Sequence, residues 1–219
     1  MIRSLIIVLL VFFCQNAFCQ EYHFDRLVKY RETNDIYTGH RFIEVYLNSK
    51  NTSYYLINRS WNNEIDTYLV DNNTNTTHNF YIEDFSKIKE YVYFNSRKFN
   101  PDNCEIDCSK ESIDEIKNSG QFTKIIYSQY TTKKKKRKDY DIEVIVKPTD
   151  FVCLKPLIKI LQHHFLFCEE LKTSDNSIPV STKFIKGKKV FSEQKLEASS
   201  NIKMDFSVKK ESIKYTTTH

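Results

Sequence analysis

The sequence predicts a mainly antiparallel β protein of the α+β class: one domain of about 8–11 strands with a single main helix near 151–171. Three observations carry this. Short apolar stretches alternate with polar residues at period two along most of the chain, as half-buried strands do. Only one stretch repeats its apolar residues at steps of three and four. No internal repeat and no Pro/Gly/Ser-rich linker divides the chain, so one domain is the economical reading.

The elements follow in order. Residues 1–19 read as a secretory signal peptide: Arg3 is the positive n-region, Leu5 to Cys14 is an apolar run of ten, and Ala17-Phe18-Cys19 is a small-x-small site before Gln20. Ten residues are too few to span a bilayer, which needs about 20. Phe18 is bulky for a lipobox, so lipidation at Cys19 is the lesser alternative. Residues 20–219 then form the β-rich domain.

Within it, 42–57 reads as a hairpin, with Ile43, Val45 and Leu47 alternating with polar neighbours and Asn48-Ser49-Lys50-Asn51 as its turn. Residues 64–70 form a strand, 71–77 a polar loop, and 79–82 and 88–94 two more strands rich in Tyr, Phe, Ile and Val. The stretch 95–120 reads as an irregular Cys-containing excursion, with Ser112 and Glu115 spaced as a helix-capping box. Phe122 to Tyr130 and Tyr140 to Val146 are hairpin arms around a basic run. In 150–171, Leu154, Leu157, Ile158, Leu161, Phe165 and Cys168 mark the helix. Residues 180–185 and 189–196 flank a Lys-Gly-Lys turn, 202–208 alternate strictly, and the polar tail after 209 is expected to fray.

Composition excludes several classes. Forty per cent apolar and fourteen per cent aromatic residues exclude a disordered chain, and three glycines leave no Gly-rich phosphate loop. No Gly-x-Ser-x-Gly elbow and no His-Glu-x-x-His motif occurs. Glu169-Glu170 and His163-His164 are adjacent pairs, and neighbouring helical residues diverge by about 100°, so neither converges on one atom. No catalytic residue, no cofactor site and no metal site is assigned, and an enzyme is the less favoured reading.

Once Cys14 and Cys19 leave with the signal, four cysteines remain: Cys104, Cys108, Cys153 and Cys168. In an exported chain they read as up to two disulfides, in any of three pairings. On one helix Cys153 and Cys168 would lie about 22 Å apart, so pairing between the 104/108 pair and the helix is favoured. A metal site of Cys104 and Cys108 with His163, His164 or Cys168 is the sharper alternative, but it lacks the second closely spaced ligand pair of structural zinc sites.

The loudest feature is Lys133, Lys134, Lys135, Lys136, Arg137 and Lys138. A nuclear signal conflicts with export. Asp139, Asp141 and Glu143 beside the run argue against nucleic acid. A solvated hairpin tip or contact with an anionic membrane surface remains. The formal charge of +5 becomes +4 without Arg3, and the run alone carries +6, which leaves −2 on the rest of the mature chain. Removing 133–138 is therefore expected to abolish anionic-surface binding with little effect on folding. Asn51, Asn58, Asn72 and Asn75 each begin an Asn-x-Ser/Thr triplet, relevant only where exported proteins are glycosylated.

Two resemblances add to this. The signal ending Asn-Ala-Phe-Cys before Gln20, the segment Phe24-Asp25-Arg26-Leu27-Val28-Lys29-Tyr30 and the hairpin Tyr46 to Tyr55 resemble uncharacterised secreted proteins of flavobacteria. The succession of strands, one helix and closing strands is similar to the half-barrels of periplasmic lipoprotein carriers of the LolA and LolB kind. That likeness implies a curved sheet with a helix across the mouth of an apolar cavity; it matches no signature residue here. The expectation is thus an exported non-enzymatic protein, in the periplasm or at the cell surface, that binds an apolar or envelope-derived ligand. A secreted hydrolase marked by a deep polar pocket with convergent His and carboxylates, or a structural interaction protein, stands as the alternative.

Overall fold

A computed structural model describes residues 19–35, 37–61, 64–85, 88–98, 110–161, 173–209 and 215–216. Twelve strands form one sheet: β1 (Cys19–Asn34), β2 (Tyr37–Leu47), β3 (Tyr54–Trp61), β4 (Glu64–Asp71), β5 (Thr76–Phe85), β6 (Ile88–Lys98), β7 (Glu111–Ser119), β8 (Phe122–Tyr130), β9 (Lys138–Pro148), β10 (Ser177–Lys186), β11 (Lys189–Lys209) and the two-residue β12 (Tyr215–Thr216). Helix α1 (Leu154–Leu161) lies between β9 and β10. The order across the sheet is β12-β6-β5-β4-β3-β2-β1-β11-β10-β9-β8-β7. It is two antiparallel meanders joined where β1 pairs with β11, and the sheet is curved and unclosed. Among the described residues no helix is long and apolar enough to cross a membrane.

The expected hairpins are present, and their turns show why. Asn48 Oδ1 accepts from the backbone N–H groups of Lys50 (2.9 Å) and Asn51 (3.0 Å), a side-chain turn that starts the β2–β3 reversal. Gly187 sits at φ 64° in the two-residue β10–β11 turn, a conformation a side chain resists.

Four expectations change. The loop expected at 71–77 is only the turn 72–75, because Asp71 and Thr76 pair with each other across β4 and β5. Of the excursion expected at 95–120, residues 95–98 continue β6 and 111–119 form β7 as a sheet edge, while 99–109 with both cysteines lie outside the described residues. Ser112 and Glu115 therefore cap no helix; cross-strand pairing with β8 outweighs the local capping signal. The segments 189–196 and 202–208 are one 21-residue strand whose register shifts hide its continuity. Beyond Lys209, Tyr215 and Thr216 pair in parallel with Ser96 and Arg97 of β6.

Of the helix expected at 151–171, the described part is α1. Its first free N–H groups are satisfied from outside: Cys153 N and Leu154 N both donate to Asp175 O, at 3.1 and 3.2 Å. Pro156 falls in the first turn, where a missing N–H costs nothing. Leu157, Ile160, Leu161 and Phe151 pack on Val28, Tyr30, Ile43, Val45, Tyr55 and Ile57, while Leu154 and Ile158 pack on Tyr127, Ile142, Val144 and Val146. Each such buried side chain stabilises by about 1.5–3 kcal/mol. Arg59 Nη2 donates to Ile160 O (2.9 Å) and Gln194 Nε2 to Leu161 O (3.1 Å), fastening the helix to β3 and β11. The helix is thus seated directly on the sheet, and its own side chains occupy the space beneath it.

Candidate functional site

The other face of the sheet carries the candidate site, built by one shift in strand register. β2 pairs with β1 only from Arg26 to Asn34. The leading part of β1 pairs with β11 alone, Cys19 opposite Lys209 through Phe24 opposite Met204. Between Phe24 and Arg26 the register shifts, and β1 changes which face its apolar side chains serve. Val28 and Tyr30 belong to the helix face; Tyr22 and Phe24 belong to the opposite one. The free ribbon of 19–24 and 202–209 folds over that opposite face.

Asp25 sits at this corner and anchors it. Its carboxylate accepts from Ser49 N (2.8 Å) and Ser49 Oγ (2.5 Å). Burial works to raise its pKa, but these hydrogen bonds and the Arg26 charge outweigh it and hold the carboxyl below the usual range.

Beneath the ribbon the lining is aromatic. Phe206 meets Phe80 edge-on with ring centroids 5.1 Å apart, and Tyr91 at 5.2 Å. Tyr22 meets Tyr54 at 5.1 Å and Phe24 meets Tyr54 at 5.7 Å. Tyr22, Phe24, Leu56, Leu69 and Val208 are buried, whereas Tyr46, Tyr91, Tyr93, Ile202, Met204 and Phe206 are half-buried and form the rim.

Polar groups are set into this lining. Asn58 Nδ2 donates to Tyr91 Oη (3.2 Å), while Thr67 Oγ1 donates to Asn58 Oδ1 (3.0 Å). Tyr46 Oη donates to Glu44 Oε2 (3.2 Å), and Lys29 Nζ pairs with Glu44 Oε1 at 2.6 Å. Burial, then the neighbouring Tyr91 and Glu44, push the Tyr46 phenol far above its ordinary pKa, so it stays a neutral donor. Asn58 is only 3% exposed, which closes that glycosylation triplet to an enzyme.

His78 is the deepest of these groups, 1% exposed beneath the Tyr22 ring. Its Nδ1 lies 2.5 Å from Ser96 Oγ, which in turn lies 2.8 Å from Tyr93 Oη, and its buried Nε2 has no hydrogen-bond partner. Asp71 accepts from Tyr22 Oη (3.0 Å) and from Asn73 N (2.8 Å). Serine, histidine and aspartate are therefore near one another without a nucleophile relay, since the carboxylate is committed to Tyr22 and to its own turn.

The residues singled out from the sequence lie elsewhere. Lys133 to Arg137 form the exposed β8–β9 turn, and Lys138 opens β9. Lys138 Nζ bridges Asp114 (2.8 Å) and Asp141 (3.1 Å), and Lys135 Nζ donates to Glu111 O (2.7 Å). The basic run thus helps dock edge strand β7, so removing 133–138 would disturb the sheet, contrary to the sequence expectation. Cys153 is a buried free thiol whose Sγ donates to Ser177 O at 3.1 Å. Cys104, Cys108, Cys168, His163, His164, Glu169 and Glu170 lie outside the described residues, as does the signal segment up to residue 18. Among the described residues no cluster of His, Cys, Asp or Glu is arranged to hold a metal ion.

The sequence reading missed His78, Asp71 and Asn58. A signal existed: Thr76, His78, Phe80 and Ile82 share one face of a strand. Treating 71–77 as loop cut that periodicity short.

No protein-family model matches the chain, and no curated protein matches it. Among solved structures it is similar to a LolA superfamily protein from Nitrosomonas europaea, at 5% sequence identity and a TM-score of 0.29, over 81% of this chain and 85% of that one.

Proposed function

We propose that the protein is an exported, non-enzymatic sheet protein that takes up an apolar or envelope-derived ligand beneath its β1–β11 ribbon. One observation carries this reading. The aromatic face under the ribbon ends in a rim of Tyr46, Tyr91, Tyr93, Ile202, Met204 and Phe206 that stays half-buried. A half-buried aromatic rim leading to an apolar interior with a few fixed polar groups has the chemistry of an amphiphile site. The helix covers the opposite face, so the ribbon side is where a ligand has access to such a lining. Ring edges held at 5–6 Å by a two-stranded ribbon can re-pack at lower cost than a closed sheet, because the ribbon is paired along one edge only.

The test is direct. Organic extraction of the purified protein should release a lipid detectable by mass spectrometry, and the stripped protein should enhance the fluorescence of 1-anilinonaphthalene-8-sulfonate. Phe206→Ser should weaken dye binding severalfold, while Phe42→Ser, an exposed ring away from the ribbon, should not. No extractable lipid together with no dye enhancement would remove this reading.

A further inference from the structure

The sheet places two lysine-rich turns side by side that are about fifty residues apart in sequence. β9 and β10 are antiparallel neighbours, with Asp141 opposite Ile185. The β8–β9 turn and the β10–β11 turn therefore leave the sheet at the same end, and Lys186 pairs with Asp139 at 3.2 Å across them. Together the tips carry Lys133, Lys134, Lys135, Lys136, Arg137, Lys138, Lys186, Lys188 and Lys189, all exposed. Acidic partners engage Lys138, Lys186 and Lys189, the last through Asp35 at 2.8 Å. Lys134, Lys136, Arg137 and Lys188 make no ion pair among the described residues. Val190, 42% exposed, adds an apolar side chain beside them.

We infer that these two tips form one composite cationic platform that docks the molecule end-on to an anionic phospholipid surface. Charge complementarity and shape favour that partner. Both tips are convex turns, which cannot cradle a single small anion but can meet a planar array of phosphates. Lysine ammonium groups on flexible stems suit such an array, since they need no fixed fork geometry. Directly behind the tips Asp35, Asp114, Asp139, Asp141, Glu143 and Glu193 are each ion-paired with a lysine, so the strands there carry little excess charge. The unpaired positive charge is therefore confined to the end of the sheet, which suits a planar anionic surface better than a nucleic-acid rod lying along the strands. The sequence shows one basic run; the strand order supplies the second half of the platform.

Vesicle co-sedimentation tests this with the purified protein. Binding to phosphatidylcholine vesicles containing 30% phosphatidylglycerol should exceed binding to pure phosphatidylcholine and should collapse in 0.5 M NaCl. K134Q, K136Q, R137Q and K188Q should each weaken the partition by roughly fivefold, the effect of one basic residue near such a surface, and K134R should restore it. All four side chains are exposed, and unchanged urea midpoints will show that the variants fold. The decisive variant is K188Q. If it binds as tightly as the parent while K134Q does not, the platform is not composite. Equal binding to neutral vesicles, or tighter retention on duplex DNA at the same salt, would overturn the lipid assignment. None of these readouts depends on whether an apolar ligand occupies the ribbon face.

Discussion

Phe206 of β11 and Phe80 of β5 touch, with centroids 5.1 Å apart, although five strand-to-strand steps separate them along the sheet. At about 4.8 Å per step that path is roughly 24 Å. The contact exists because the ribbon leaves the plane at the Phe24/Arg26 register shift and crosses over β2 to β6. Phe80→Ala should destabilise by about 3 kcal/mol, and Phe206→Ala by less because its ring is half-buried. A double-mutant cycle from urea unfolding should return a coupling of about 0.5–1.5 kcal/mol. Additive effects would mean the ribbon is not docked on β5.

His78 sets a pH dependence. Burial lowers its pKa below the ordinary value near 6.5, although the Asp71 charge opposes the shift. The unfolded chain therefore binds this proton more readily than the native one. Its contribution is complete above about pH 6.5 and is lost as pH falls from there toward the depressed native pKa. His78→Gln should flatten the fall in urea midpoint between pH 7 and pH 5, relative to the parent. An unchanged slope would show that His78 is not buried as a neutral ring.

Cys153 should be chemically silent in the native state. Burial first, and the nearby Asp150 charge second, push its thiol up to about 12, and the reactive species is the thiolate. Peptide mapping after N-ethylmaleimide treatment at pH 8 should find Cys153 unmodified in the folded protein and modified in 6 M urea. Recovery of Cys153 in a disulfide would contradict the thiol that donates to Ser177.

Gln194 is 7% exposed and ties β11 to the helix through Leu161 O. Gln194→Leu should cost about 1–2 kcal/mol by leaving that carbonyl without this donor. Gln194→Glu should cost more, since a carboxylate would face the carbonyl in a buried setting. Matching losses for the two variants would show that the position is filled by volume alone.

The sequence determined the local layer of this protein. Alternation at period two marked most strands, and Asn48, Gly187 and the Leu157–Leu161 spacing marked the turns and the helix, because each depends on neighbours a few residues away. It missed the strand residues at 95–98 and 111–119 and the continuity of 189–208. There, pairing with β5, β8 and β1 decides the backbone, and bulges break the alternation a reader would follow.

Tertiary structure alone decided the joins that no hairpin dictates, β1 with β11 and β9 with β10, and three consequences follow from them. The join of β1 to β11 lets a ribbon fold over the aromatic face. The burial of His78 beneath Tyr22 turns an ordinary strand residue into a proton-sensitive one. The pairing of β9 with β10 brings Lys188 beside the 133–138 run, so the positive charge is a property of one end of the sheet. The β1–β11 join rests on contacts between residues more than a hundred positions apart, such as Tyr22 with Phe206, and no local pattern encodes those.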